Sequence, residues 1–126
     1  MLSVEQAAVV ARKHDLPLIV DAAAEEDLHA YYRSGADLVI YSGAKAIEGP
    51  TSGLVIGKTQ YVEWVKRQTA GIGRAMKVGK EGILGLTCAI EHYLTATKES
   101  GAEMVAKMTP FIDALNTLNG VTARVV

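Results

Sequence analysis

Apolar and polar positions along this chain switch between two periods, and the switches mark its elements. Val4, Ala7, Ala8 and Ala11 recur at the spacing of one helix face. Ser3, with Gln6 three residues on, makes the capping-box pattern that opens such a helix, and Pro17 predicts its end near His14-Asp15. Leu18-Ile19-Val20 is a short continuous apolar run that ends in Asp21, which predicts a buried strand with a carboxylate at its C-terminal end. Ala22-Ala23-Ala24 reads as a small-residue turn. Residues 25–33 predict a short helix with Leu28 and Tyr32 on one face, closed by Ser34-Gly35. A second strand is predicted over 37–41. A third apolar run, Leu54-Val55-Ile56, follows a glycine-rich loop and predicts a third.

Beyond residue 57 the pattern becomes mostly helical. Thr59 is placed to cap a helix running to about Gln68, with Val62 and Val65 inward and Trp64 near them. Glycine and alanine loosen 70–80, which Arg74, Lys77 and Lys80 punctuate. Residues 81–98 predict an amphipathic helix whose stripe is Ile83, Leu86, Ile90, Tyr93 and Leu94, broken at Gly101. Met104, Val105, Met108, Ile112, Leu115 and Leu118 form another stripe, which Pro110 is expected to kink or restart. Asn119-Gly120 makes a turn, and 121–126 alternates like a terminal strand. No internal repeat or low-complexity segment is present.

Helix, strand, helix, strand with short connections is the pattern of a parallel α/β sheet. Ligands bind such sheets at the C-terminal ends of the strands. Asp21 and residues 42–45 both follow strand ends, so both are predicted on one edge of the sheet. Two parallel strands, an antiparallel third and a terminal strand do not complete a doubly wound sheet. The chain is therefore expected to be a piece of a larger protein, cut from the second half of an α/β domain.

Composition narrows the class. With 126 residues, 49% hydrophobic and 21% charged, the chain can build a core and does not read as disordered. A formal net charge of −1 gives no bulk attraction to nucleic acid or an anionic membrane. No apolar run approaches the roughly 20 residues of a membrane span, and the N-terminus lacks the basic and apolar regions of a secretory signal. Cys88 has no second cysteine to pair with. A cytoplasmic location is expected.

The segment 42–57, SGAKAIEGPTSGLVIG, carries the chemistry. One lysine, Lys45, stands among small residues between two strands. Desolvation there would favour the neutral amine, the form that condenses with an aldehyde to a Schiff base. The plain alternative is a surface lysine in a hairpin loop. Asp21 is either a site carboxylate or the cap of the segment after it. Arg74, Lys77 and Lys80 are either a solvated cationic loop or a site for a substrate carboxylate or phosphate, for which arginine offers a bidentate fork. Gly57-Lys58-Thr59 resembles the end of a P-loop, but the earlier glycine is replaced by Ser52. His14, His29 and His92 lack metal-ligand spacing and are expected at surfaces or helix ends, so no metal site is expected. Cys88, within a helix, is expected to be a buried structural thiol.

Val20-Asp21-Ala22-Ala23-Ala24-Glu25, Ser42-Gly43-Ala44-Lys45 and Gly49-Pro50-Thr51-Ser52-Gly53 resemble fold-type I pyridoxal-phosphate enzymes. More narrowly they resemble the bacterial selenocysteine synthase (seryl-tRNA selenium transferase) group, and within it the D-glucosaminate-6-phosphate ammonia-lyase-like branch. Gly73-Arg74-Ala75 and Lys80-Glu81-Gly82 extend the similarity along nearly the whole chain. The resemblance implies an α/β fold: part of an aspartate aminotransferase-like large domain over 1–79, then connecting helices and the start of a C-terminal small domain over 80–126. The N-terminal half of the enzyme, with its phosphate-binding glycine-rich segment and ring-stacking residue, is absent from the pattern.

The resemblance further implies pyridoxal 5′-phosphate as cofactor. Lys45 carries it, Asp21 pairs with its pyridinium nitrogen, and Ser42 contacts its phosphate. Thr51, Ser52 and Gly53 add donors, and Arg74 lies near the substrate. The implied reaction is an α,β-elimination on a 2-amino-3-hydroxy acid, such as a 2-amino-2-deoxy sugar acid phosphate: the β-hydroxyl leaves, and the resulting enamine hydrolyses to a 2-keto-3-deoxy acid and ammonia. The alternatives are a seryl-tRNA selenium transferase-like enzyme and a non-catalytic interaction piece. The implied partners are a small amino acid or amino sugar acid and further copies of the chain in a homo-oligomer. No membrane is expected, and nucleic acid is disfavoured.

Overall fold

Three strands make one mixed sheet in the order β1-β2-β3. In the computed structural model, which describes residues 2–97 and 99–125, β1 is Ile19–Asp21, β2 is Leu38–Ser42 and β3 is Gly53–Gly57. β1 and β2 run parallel, with Ile19 beside Leu38 and Asp21 beside Ile40. β3 returns antiparallel to β2, with Ser42 opposite Gly53 and Leu38 opposite Gly57. The mixed α/β architecture and the antiparallel third strand agree with the sequence pattern.

Because side chains alternate along a strand, the register sorts the sheet into two faces. Val20, Val39, Tyr41, Leu54 and Ile56 share one face and pack into the core with Leu28, Ala36, Ile47 and Leu86. The other face carries Leu38, Ile19, Ile40 and Asp21; Leu38 is buried, but the face is open at Ile19, 55% exposed, and at Ile40, 39% exposed. The run 18–20 therefore forms an edge strand with one wet face, not the buried strand that its continuous hydrophobicity predicts. An unbroken apolar run records two apolar faces, but only tertiary structure supplies a cover for each.

The helices follow their local signals with some corrections. α1, Val4–Lys13, opens on the full Ser3–Gln6 capping box and buries Ala8. α2 is only Ala30–Arg33, shorter than the predicted 25–33. The Asp27 carboxylate accepts from the N–H groups of His29 and Ala30 at 2.8 and 3.0 Å, so the helix can start no earlier. Leu28 is buried, whereas Tyr32 is 43% exposed and faces away from the core.

α3, Thr59–Gln68, has Lys58 at its N-cap without a side-chain cap, so Thr59 is its first residue instead of its cap. Trp64 and Val65 are exposed, with Trp64 edge-on to Tyr61 at 5.3 Å. A short 3-10 helix, Ile72–Met76, follows. α4, Lys80–Thr95, turns Leu86, Ala89, Ile90 and Tyr93 to the core. Ile83 and Leu94, expected in the same stripe, are exposed. Cys88 is exposed rather than buried, because it lies on the other side of α4 from Leu86 and Ala89.

Contacts group residues 1–94 and residues 95–126 into two compact units. α4 thus packs with the sheet. In the second unit, α5 is Gly101–Asn116 and opens on a capping box of Ser100 and Glu103. Pro110 lies inside α5 and neither ends nor restarts it. Residues 121–125 form no strand. Instead the Asn116 side chain donates to the Ala123 carbonyl and accepts from its N–H, at 3.1 and 2.7 Å, which satisfies the segment by a side chain in place of a strand. Lys98 and Val126, at the ends of two predicted elements, lie outside the described residues.

Candidate active site

The parallel pairing of β1 and β2 brings together two segments distant in sequence. Asp21, the last residue of β1, sits beside Ile40, and β2 ends two residues later at Ser42. The loop bearing Lys45 leaves from there. Asp21, Ile40 and Ser42 share one face by alternation, so the carboxylate and Ser42 lie on the open side of the sheet at its C-terminal edge. Asp21, Lys45 and Thr51 are exposed, and Ser42 and Ser52 half-buried. The Asp21 carboxylate and the Lys45 amine make no hydrogen bond or ion pair among the described residues. Lys45 is not enclosed by the packed strands in this chain. The desolvation expected from its small neighbours would have to come from groups beyond these residues.

The lysine loop is nonetheless shaped. The Glu48 N–H donates to the Lys45 carbonyl at 2.8 Å, which closes a turn on the lysine and holds Glu48 in the left-handed region at φ 56°. Gly49 N–H donates to the Gly43 carbonyl at 2.7 Å, and Gly43 N–H to the Ser52 carbonyl at 2.9 Å. Gly43 is buried. A Cβ there would collide with Ser52 Oγ and lie 2.9 Å from Leu86 Cδ1 and 3.0 Å from the Pro50 carbonyl. The glycine is needed for this loop to lie on α4. Gly49 against Ala89 and Gly85 against Pro50 repeat the close approach, at 3.1 and 3.2 Å. Ser52 Oγ donates to the Pro50 carbonyl at 2.8 Å. Gly53 differs: a Cβ there would meet only the Tyr41 carbonyl, at 3.8 Å, so its surroundings are open.

Two contacts that periodicity does not reveal hold the segment after Asp21. Tyr41 Oη donates to the Asp27 carbonyl at 3.1 Å, and the Tyr93 hydroxyl donates to the carbonyl of Glu26. Tyr93 reads from sequence as part of a helix stripe and Tyr41 as part of the strand predicted over 37–41, and no local signal marks either hydroxyl.

Lys58, the lysine of the P-loop-like triplet, has a different task. Its Nζ lies 2.6 Å from Asp37 Oδ1, while Asp37 Oδ2 accepts from the Leu18 N–H at 2.7 Å. Burial opposes the Asp37 charge, but the Lys58 ammonium and the Leu18 N–H outweigh it and hold the carboxyl below the usual carboxylate range. The same hydrogen bond, and then the Asp37 charge, push Lys58 upward. Lys58 is thus a structural partner and not a phosphate ligand.

Arg74 is exposed in the 3-10 helix. Six of the 13 lysines and arginines fall within 58–80, against one acidic residue, Glu63. Lys58 is paired with Asp37 and Lys66 with Glu63. Arg67, Arg74, Lys77 and Lys80 have no ion pair among the described residues. The nearly neutral chain therefore holds a locally cationic stretch, which total charge conceals. No cluster of metal-ligating side chains occurs among the described residues, and no helix there is long and apolar enough to cross a membrane.

The donor set suits pyridoxal phosphate. One unpaired amine and one unpaired carboxylate stand at neighbouring ends of parallel strands, with a hydroxyl at Ser42 and open backbone at Gly53.

The family model for SelA, L-seryl-tRNA selenium transferase, matches residues 7–121. The chain is 46% identical over 123 residues to a D-glucosaminate-6-phosphate ammonia lyase of Salmonella typhimurium, covering 98% of this chain and 32% of that protein. It is 42% identical over 121 residues to a 5′-C-glycyluridine monooxygenase-decarboxylase of a Streptomyces species, covering 95% of this chain and 30% of that protein. Identity to an L-seryl-tRNA(Sec) selenium transferase of Caldanaerobacter subterraneus is 28% over 105 residues. A solved structure of a D-glucosaminate-6-phosphate ammonia-lyase matches with a TM-score of 0.84 at 46% identity, over 99% of this chain and 33% of that one. The chain thus spans about a third of the length of these relatives.

Proposed function

Since the chain belongs to the SelA (L-seryl-tRNA selenium transferase) family, we propose that it supplies the lysine and the ring-nitrogen partner of a fold-type I pyridoxal-phosphate site in an ammonia-lyase. The observation that carries this reading is the pairing of Asp21 with Ile40, which sets a free carboxylate at the edge from which the Lys45 loop departs. The reading places 1–79 in a cofactor-binding large domain, and 80–126 in connecting helices and the start of a C-terminal small domain.

Pyridoxal phosphate, when bound, supplies an electron sink that lets a Cα–H bond beside an amine break. The rest falls to the chain. Lys45 Nζ would hold the cofactor and, when free, would be the base that takes the Cα proton. The Asp21 carboxylate would accept from the ring N–H and keep that nitrogen protonated. The Ser42 hydroxyl, with Thr51 and the Gly53 N–H, would donate to the cofactor phosphate, joined by Ser52 once its hydroxyl turns from the Pro50 carbonyl. Arg74 offers its fork to a substrate carboxylate or phosphate. Loss of the β-hydroxyl as water would leave an enamine, whose imine tautomer takes up water and releases ammonia, so that a 2-amino-3-hydroxy acid becomes a 2-keto-3-deoxy acid. A 2-amino-2-deoxy sugar acid phosphate is the substrate favoured by 46% identity to the Salmonella lyase, and a homo-oligomer in the cytoplasm is the setting proposed.

A seryl-tRNA selenium transferase is the second reading, supported by the family model. It would begin with the same proton removal at Lys45. Identity of 28% to such an enzyme, against 46% to the lyase, favours the first. Borohydride reduction of the cofactor-loaded full-length protein followed by peptide mapping tests the shared core of both readings. The pyridoxyl group is expected on Lys45, and a label on Lys58 or Lys77 instead would sink the assignment.

A further inference from the structure

We propose that Tyr41 and Tyr93 are positioning residues whose hydroxyls hold two consecutive carbonyls after Asp21 and thereby fix where that carboxylate sits. The proposal rests on the pyridoxal-phosphate reading above. Ala22 N–H donates to the Ile40 carbonyl at 2.8 Å, the last bond tying this strand to β2. Beyond it the chain leaves the sheet through a turn and has buried side-chain anchors at Ala22 and Leu28. Between those anchors lie Glu25, Glu26 and Asp27, all exposed. Like charges in a row repel one another and favour an open, mobile segment. The two phenols oppose this from two directions. Tyr41 comes from β2 with its ring fully buried and bonds the Asp27 carbonyl. Tyr93 comes from α4 and bonds the Glu26 carbonyl.

The arrangement links the two halves of the candidate site. Tyr41 immediately precedes Ser42 on the strand that leads into the lysine loop, and α4 underlies that loop through Leu86 and Ala89. The elements that carry Lys45 are therefore the same ones that grip the segment after Asp21. Asp21 has no side-chain partner of its own among the described residues, so its placement depends on the backbone to either side. Burial, and then the nearby Asp27 charge, push the Tyr41 phenol above its ordinary range. Its hydroxyl keeps its proton and remains a donor.

The test uses Tyr41→Phe and Tyr93→Phe, singly and together, in the full-length protein loaded with pyridoxal phosphate. Tyr32→Phe removes the same atom from an exposed tyrosine that makes no such bond and serves as the control. Amide hydrogen exchange over residues 21–28 is expected to quicken roughly five-fold for each hydroxyl removed. The visible circular dichroism of the bound cofactor is expected to weaken in the double variant, with kcat falling while KM holds. Exchange and dichroism that both match wild type overturn the proposal. Faster exchange with unchanged dichroism also overturns it, since the tyrosines would then steady the segment without positioning Asp21. So does altered dichroism with unchanged exchange. The premise is checked separately: a wild-type protein that takes no borohydride label at Lys45 removes the cofactor reading and this proposal with it, whereas a labelled wild type with unmoved readouts overturns the clamp alone.

Discussion

The two ends of the β1–β2 pair carry the same chemical groups in opposite conditions. At the N-terminal end, a carboxylate and an amine meet: Asp37 is buried, bonded to the Leu18 N–H and paired with Lys58 at 2.6 Å. At the C-terminal end, Asp21 and Lys45 are exposed and have no partners among the described residues. A charge already neutralised by its own fold contributes to stability and is unavailable for chemistry. A charge left open at a strand end is available to a ligand and adds little to stability. The P-loop-like lysine and the glycine-loop lysine were both candidates by sequence, and their partners separate them.

The contrast is broken or sharpened by experiments at each end. The largest effect is expected from the chain tested by itself. A titration of the 126-residue chain with pyridoxal phosphate, followed by its visible band, is expected to show weak binding or none. Affinity comes from many preorganised groups acting together, and the open edge offers only part of a pocket. Tight stoichiometric binding by the monomer would mean that the open edge is already a complete site.

In the full-length protein, Lys45→Ala is expected to lower turnover by roughly 10²–10⁴-fold, the usual share of a positioned acid–base group. In the cofactor-free protein its unfolding midpoint should barely move, because a side chain without a partner in its own fold changes stability by no more than about 0.5 kcal/mol. Retained turnover, or a large loss of stability, would contradict the division between the two ends.

Asp21→Asn is expected to keep most cofactor binding while turnover drops by the equivalent of about 2–4 kcal/mol, by analogy with other preorganised groups. Steady-state kinetics beside a cofactor titration separates the two quantities, and unchanged turnover would count against the role.

Asp37→Asn reverses the pattern. Turnover should hold and stability should fall by about 1–3 kcal/mol, the worth of a charged acceptor to the Leu18 N–H at this buried position; the exposed Lys58 is left to water. The sign with pH follows from the lowered Asp37 value. A carboxyl whose folded pKa is depressed stabilises the fold above its unfolded pKa, and that contribution disappears as pH falls through the folded value. The gap between wild type and Asp37→Asn, read by urea unfolding, should be full at neutral pH and close below about pH 4. A gap that persists in acid would show that the Asp37 charge is not its source.

Much of this molecule is legible in the order of its residues. The Ser3–Gln6 box, the strand end at Asp21, the second strand to within a residue of its end, the antiparallel return and the Asn119-Gly120 turn depend on groups a few positions apart. Hydrogen-bond reach and side-chain period act over that distance, so the chain determines them locally. Alternation of helix and strand also sufficed to put Asp21 and the Lys45 loop on one edge, because short connections leave few ways to arrange parallel strands. The motif types around Lys45 identified the family before any coordinates.

Other features depended on what lies across from a residue. That Lys58 has a carboxylate partner and Lys45 has none is a matter of three-dimensional neighbours, not of the glycines and small residues around either. Ile19 and Cys88 are exposed because no other part of these residues covers them. Tyr41 and Tyr93 become clamps only because β2 and α4 pass the same turn. The length of α2 was decided by the Asp27 carboxylate reaching two N–H groups ahead of it. Burial and pairing belong to surfaces brought together by the fold, and a surface has two sides. The sequence of one stretch determines which groups it offers, whereas the tertiary structure decides which of them meet a partner and which are left to face a ligand.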